Sequence, residues 1–144
     1  MKKLLVLSVA IPALLSSCGN NQAAKETEDQ KISQQAIEIH DEIMPQISTF
    51  DKNTVIIDSI LTNLDKIKAA NTALDTTNSR SELVNLKSDL EAATDNMMTW
   101  MKDYDPVNED QAYQQKMLDR VVEMKKQFED AAALSKTTLA PFNR

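Results

Sequence analysis

Three residue types are almost missing from this 144-residue chain, which has one Cys, one His and one Gly. A single Cys cannot close an internal disulfide or furnish a zinc knuckle, and a single His cannot build a multi-histidine metal centre. One Gly is too few for a phosphate-cradling loop, and no Asn-Gly turn is present to close a hairpin. Aromatic residues make up 4% of the chain, sparse for a haem pocket, and no haem-attachment motif accompanies the lone His40. Basic residues are outnumbered, 16 Lys and Arg against 22 Asp and Glu, for a net charge of -6. Nucleic acid is therefore not an expected partner, because its phosphates demand a basic face. No apolar run is long enough to cross a bilayer, which takes about 20 residues.

The longest such run, Leu4 to Leu15 (LLVLSVAIPALL), follows Met1-Lys2-Lys3. A short basic start followed by a short apolar stretch is the pattern of a secretory signal, and Pro12 suits a signal better than a stable membrane helix. The run ends in Leu15-Ser16-Ser17-Cys18, with the only Cys of the chain directly after two small residues. This resembles a bacterial lipobox, an aliphatic residue and two small residues followed by Cys. The resemblance implies a diacylglyceryl group on the Cys18 thiol and cleavage between Ser17 and Cys18. Residues 1–17 are then a removed signal peptide. In Gram-negative lipoproteins an Asp after the Cys commonly signals inner-membrane retention; Gly19 stands there instead, so the same resemblance implies the outer membrane. Two acyl chains anchor stably where one does so only marginally. Loss of residues 1–17 removes two lysines and leaves 127 residues with 14 basic and 22 acidic groups, a net charge of -8. That is one small domain at most.

Residues 18–31 read as the lipidated Cys and a polar tether, since GNNQAAKETEDQK contains nothing large and apolar to bury. From Ile32 the apolar positions step by three or four: Ile32, Ala36, Ile39, Ile43, Ile47, Phe50, Ile57, Leu61 and Leu64. This is the one-sided stripe of an amphipathic helix. Its phase continues through Pro45, which predicts one long helix kinked there. The alternative is a break near Asp51–Asn53, giving four helices in all. Ser79-Arg80-Ser81-Glu82 matches a capping box and predicts a second helix carrying Leu83, Leu86, Leu90, Ala93, Met97, Trp100 and Tyr104. Asp105-Pro106 predicts the next start, with Asp105 as N-cap and Pro106 at the first helical position. The last helix carries Tyr113, Met117, Val121, Met124, Phe128, Ala131 and Leu134. It should fray near Thr137-Thr138 and stop before Pro141. Short links between long helices make antiparallel neighbours. The expectation is an all-α, up-and-down, coiled-coil-like bundle over residues 32–138, followed by a tail at 139–144.

Two groups of residues invite a chemical reading. His40 and Met44 are four apart and share a helix face, as do Met97 and Met101, with Trp100 between the latter pair. Thioether and imidazole suit Cu(I), so a soft-metal carrier using His40, Met44, Met97 and Met101 is one functional reading. Against it, methionines at helical spacing are first of all core filling. Trp100, Tyr104 and Tyr113 are candidate anchors for a protein partner, because aromatics with polar tips dominate interfaces; otherwise they close the core near a loop. Enzyme chemistry finds little footing. A Ser-His-Asp arrangement lacks a Gly-flanked nucleophile, and di-metal bundles need Glu-x-x-His pairs from two helices. Acidic pairs such as Glu28-Asp29 and Glu109-Asp110 fit solvated helix N-termini.

The segments HDEIMP (His40–Pro45) and MMTWMKDY (Met97–Tyr104) resemble small helical lipoproteins of Bacteroidota-type bacteria labelled "viral A-type inclusion protein". That resemblance implies a lipoprotein signal and an all-helical body, and it transfers no catalytic residue. The leading expectation is a non-enzymatic lipoprotein of the bacterial cell envelope, without a cofactor beyond its lipid, that contacts an unidentified envelope protein.

Overall fold

The computed structural model describes residues 26–142. The signal run, the lipobox with Cys18, the first part of the tether and the last two residues lie outside the described residues. Four α-helices follow one another: α1 (Glu28–Ile43), α2 (Ile47–Ala70), α3 (Thr76–Asp103) and α4 (Gln111–Leu139). A 3-10 turn, Met44–Gln46, joins α1 to α2, and a second, Ala140–Phe142, ends the described chain. No strand is present among the described residues.

Pro45 explains the first turn. Proline lacks the N–H for an α-helical bond and its ring clashes one turn back. The backbone tightens to a 3-10 turn while Ile43, Met44 and Ile47 all keep right-handed helical dihedrals. α1 and α2 therefore form one kinked arm, and Asp51–Asn53 lies inside α2 without a break. The bundle has three long helical arms.

The arm starts earlier than its apolar stripe. Thr27 is the N-cap, and Gln30 Oε1 accepts from its backbone N–H at 3.0 Å. Glu28 and Asp29 in the first turn add favourable charge next to the N-terminal dipole. Residues 28–31, expected in the tether, are thus helical. The other two starts also differ from the expected ones. α3 is capped by Asp75, whose Oδ1 accepts from Thr77 N and Asn78 N, each at 3.0 Å. Ser79 lies inside the helix and is buried. α4 is capped by Asp110, whose Oδ1 accepts from Ala112 N at 2.9 Å. Asp105 instead closes a turn with Pro106, accepting from Val107 N on Oδ1 at 3.1 Å and from Asn108 N on its carbonyl at 3.3 Å. At the far end α4 holds through Thr137 and Thr138 to Leu139, two residues before Pro141. Leu139 is buried and Phe142 packs against the core, so the bundle extends past residue 138.

The core is built on sevens. Ala36, Ile43, Phe50, Ile57 and Leu64 recur every seventh residue along the arm, and all are buried. α3 buries Ser79, Leu86, Ala93 and Trp100 in one series and Leu83, Leu90 and Met97 in another. α4 does the same with Gln114, Val121, Phe128 and Ser135, and with Met117, Met124 and Ala131. This is the a/d spacing of coiled-coil packing. Midway, the Phe50 and Phe128 rings stack with centroids 4.9 Å apart.

α3 and α4 form an antiparallel hairpin against which the arm lies, α1 along α4 and α2 along α3. The change of partner falls at the Pro45 turn. One ion pair marks each long interface: Glu42–Lys125 at 2.7 Å, Asp58–Lys87 at 2.7 Å and Asp103–Arg120 at 3.1 Å. The Lys125 and Lys87 ammonium groups are both held above their ordinary value of 10.5, chiefly by the hydrogen bonds they donate to Glu42 and Asp58 respectively. Both pairs lie at the solvent-facing edge of their interfaces, so they fix register more than they stabilise. No helix among the described residues is long and apolar enough to cross a membrane.

Candidate functional site

The beginning of α1, the end of α3 and the beginning of α4 meet at one end of the bundle. Sequence positions singled out for chemistry converge there, together with residues the sequence did not flag.

Trp100 sits in the last turn of α3 and is 2% exposed. Its indole N–H donates to Met117 O of α4 at 2.9 Å. Tyr104 stacks on it, centroids 4.4 Å apart. The Tyr104 hydroxyl lies 2.7 Å from Ser33 Oγ and 3.0 Å from the Ser33 carbonyl. Ser33 Oγ donates onward to Pro106 O at 3.0 Å. Burial holds the Tyr104 phenol above its usual value of 10.0, opposed by its hydrogen bond to Ser33. Tyr113 spans the connection, donating to Asp103 O and accepting from Asp105 N, both at 2.7 Å.

All three aromatics expected as partner anchors therefore place their polar tips on this chain's own backbone. Trp100 offers no exposed face, and Tyr104 and Tyr113 fasten the α3–α4 connection. The exposed large apolar side chains are others, among them Val55, Val84, Met98 and Val122 along the helices and Val107 in the loop.

Gln114 is the fastening residue that sequence reasoning missed. It is fully buried, and its Nε2 donates to Asp105 O at 3.0 Å and Asn108 O at 2.8 Å. Its signal was available, because it stands seven residues before Val121 in a core series where an apolar residue is the default. Its Oε1 is buried without a partner.

The four residues of the soft-metal reading divide. Met97 is fully buried in the core and fills space there. Met44 is half-buried against the core, and Met101 is 40% exposed. His40 stacks against the opposite side of the end cluster, its ring 5.6 Å from Trp100 and tilted by 21°. Its Nδ1 lies 2.9 Å from Asp41 Oδ1. Its Nε2 is buried and has no hydrogen-bond partner. Among the described residues no three His, Cys, Asp or Glu side chains gather as a candidate metal site.

Away from this end, a groove of ≈ 700 Å³ runs between α3 and α4, lined by Asp89, Asn96, Arg120, Glu123, Lys126 and Asp130 among others. Asn96 Nδ2 donates across to Gln127 Oε1 at 2.9 Å. The lining mixes both charge signs and is open to solvent. No protein-family model matches the chain, and neither a curated protein nor a solved structure matches it.

Proposed function

We propose that this chain is a lipid-anchored protein of the bacterial cell envelope with a non-enzymatic role, structural or in protein interaction. The observation that carries the proposal is the run Lys2-Lys3, Leu4–Leu15, Leu15-Ser16-Ser17-Cys18, with the sole Cys of the chain at the position a lipobox requires. The architecture is compatible with it. Cys18 precedes Glu28, the first residue of α1, by ten positions, a contour of about 35 Å at most. An anchored Cys18 would hold the Trp100–Tyr104 end of the bundle towards the membrane and present the α2–α3 turn away from it. The acidic body is suited to staying soluble beside an anionic surface.

The non-enzymatic part of the proposal rests on the site's chemistry. The side-chain polar groups of Ser33, Trp100, Tyr104 and Tyr113 at the cluster end are consumed in fastening helices together, and the α3–α4 groove pairs carboxylates with cations in an open, hydrated setting. Acid–base catalysis asks for a carboxylate, imidazole or amine with a shifted pKa in a cleft. The contact surface for a partner would draw on exposed apolar residues of the helix faces.

The test is detergent phase partition of the full chain with a C-terminal tag, together with intact mass spectrometry. The parent chain should enter the detergent phase with a mass that begins at Cys18 and includes a diacylglyceryl group. Cys18→Ala should keep residues 1–17 and carry no lipid. A parent chain with an unmodified thiol in the aqueous phase would overturn the anchor. Cross-linking in intact cells, followed by purification through the tag, should recover a stoichiometric envelope protein.

A further inference from the structure

We propose that His40 Nε2, with the thioethers of Met44 and Met101, forms a binding site for a soft monovalent metal ion, Cu(I), beside the face of Trp100. The argument begins with the His40 tautomer. An ionised carboxylate only accepts hydrogen bonds, so the Asp41 Oδ1 contact at 2.9 Å makes Nδ1 the donor. In the neutral imidazole the lone pair then resides on Nε2. That nitrogen is buried and faces no donor. Buried acceptors without partners are rare and ask for an explanation. A histidine whose other nitrogen is oriented by a carboxylate is the usual arrangement of a metal-ligating imidazole.

The thioethers follow from the helix geometry. Met44 lies one turn after His40, on the same face of the arm. Lys87 of α3 reaches Asp58 of α2, and Met101 comes fourteen residues after Lys87, about four turns, so it shares the face that meets the arm. His40 lies in the last turn of α1, before the Pro45 turn, and its link to α3 is its own contact with Trp100. The stacking of His40 on Trp100 brings this turn of α1 to the last turn of α3, where Met101 follows Trp100. Met44 is half-buried and Met101 is 40% exposed, so neither is locked in the core as Met97 is. One imidazole and two thioethers form a soft donor set that suits Cu(I), and the adjacent indole face favours a cation further. The inference is independent of the lipid anchor.

Trp100 is the only Trp of the chain and is a built-in reporter. The experiment titrates the full chain carrying Cys18→Ser, so that the thiol contributes nothing, with Cu(I) under anaerobic reducing conditions. Trp100 emission and competition against a chromophoric Cu(I) chelator are read together. The expected result is a saturable change in emission at one equivalent. His40→Phe, which keeps an aromatic ring against Trp100, should weaken binding at least tenfold. Asp41→Ala, at an exposed position, should weaken it by about 10–100-fold through loss of ring orientation. Met44→Leu, nearly conserving volume, should weaken it as well. No saturable change in Trp100 emission, or binding by His40→Phe equal to the parent, would overturn the proposal. If His40→Phe loses its helical circular dichroism, unchanged affinity in both Asp41→Ala and Met44→Leu overturns it instead.

Discussion

Gln114→Glu replaces one amide NH2 group with a carboxylate oxygen and tests how the α3–α4 connection is held. In the parent, Nε2 of Gln114 donates to the carbonyls of Asp105 and Asn108 from a fully buried position. A carboxylate there would face two carbonyl oxygens, with no donor for either and no buried cation. Each lost hydrogen bond that leaves an acceptor unmet costs about 1–3 kcal/mol, and because these two carbonyls are only part-buried the loss of both bonds amounts to roughly 2–4 kcal/mol before any charge effect. Burial disfavours the ionised form, so the folded-state pKa of the new Glu must rise above its unfolded value of about 4.3. The folded state then holds the proton to higher pH than the unfolded one. The variant's stability relative to the parent should fall as pH rises above about 4.3, with a slope approaching about 1.4 kcal/mol per pH unit. The fall stops at the folded-state pKa. Below pH 4 the protonated acid regains one donor and part of the loss is recovered.

Urea unfolding followed by circular dichroism at several pH values measures this, given the two-state behaviour usual for a domain of this size. With a slope m of about 1–3 kcal/mol/M, the midpoint near neutral pH should fall by at least about 1 M. Gln114→Met supplies the comparison, since it removes both donors without introducing charge. Its deficit should be smaller and independent of pH. A Gln114→Glu deficit that does not vary between pH 4 and 8 would refute the reasoning, because it would mean that water reaches the site.

Four other outcomes follow from the same structure. Asp75→Ala and Asp110→Ala should each lower stability by about 1 kcal/mol through loss of an N-cap, as measured by the same urea midpoints. Phe128→Ala should cost about 3–5 kcal/mol, because its ring fills the centre of the bundle against Phe50; calorimetry would register this as a large fall in Tm. Tyr104 has a raised pKa, so its folded state holds the proton longer and its contribution is lost as pH climbs above 10; Tyr104→Phe should flatten that alkaline loss in pH-dependent unfolding. Lys125 has a raised pKa too, so its pair with Glu42 is fully present below its unfolded value and is lost only as pH climbs through the folded one. Glu42→Gln should therefore change nothing in the shape of the stability profile between pH 6 and 9.

The identity of the long elements was legible because helix formation is written in periodicity. The seven-residue recurrence of Ala36, Ile43, Phe50, Ile57 and Leu64 commits one face of the arm to burial wherever its partners lie. Pro45 commits the kink, since its missing N–H and its ring act on the nearest turn alone. Pro141 stops α4 for the same local reason. Helix starts were less legible. Asp75 and Ser79 stand one turn apart and both can accept from free N–H groups, as can Asp105 and Asp110. Which one caps depends on where the helix end docks. Ser79 is drawn into the core series of α3, and Asp105 is held in a turn by Pro106, Tyr113 and Gln114.

The sequence by itself thus determined an all-helical body, its heptad core and the position of its kink, all products of interactions within a turn or two of chain. Tertiary structure alone decided which side chains remain available for chemistry. Trp100, Tyr104 and Tyr113 read as exposed anchors until three helix ends met and supplied acceptors for their polar tips. Met97 and Met101 share a face by spacing, yet a difference of about 40° around the helix places one in the core and the other at its rim. The free nitrogen of His40 exists only because Asp41 takes one side of the ring while the packed bundle end shields the other from water. Burial is a property of neighbours distant in sequence, so no local pattern could reveal it.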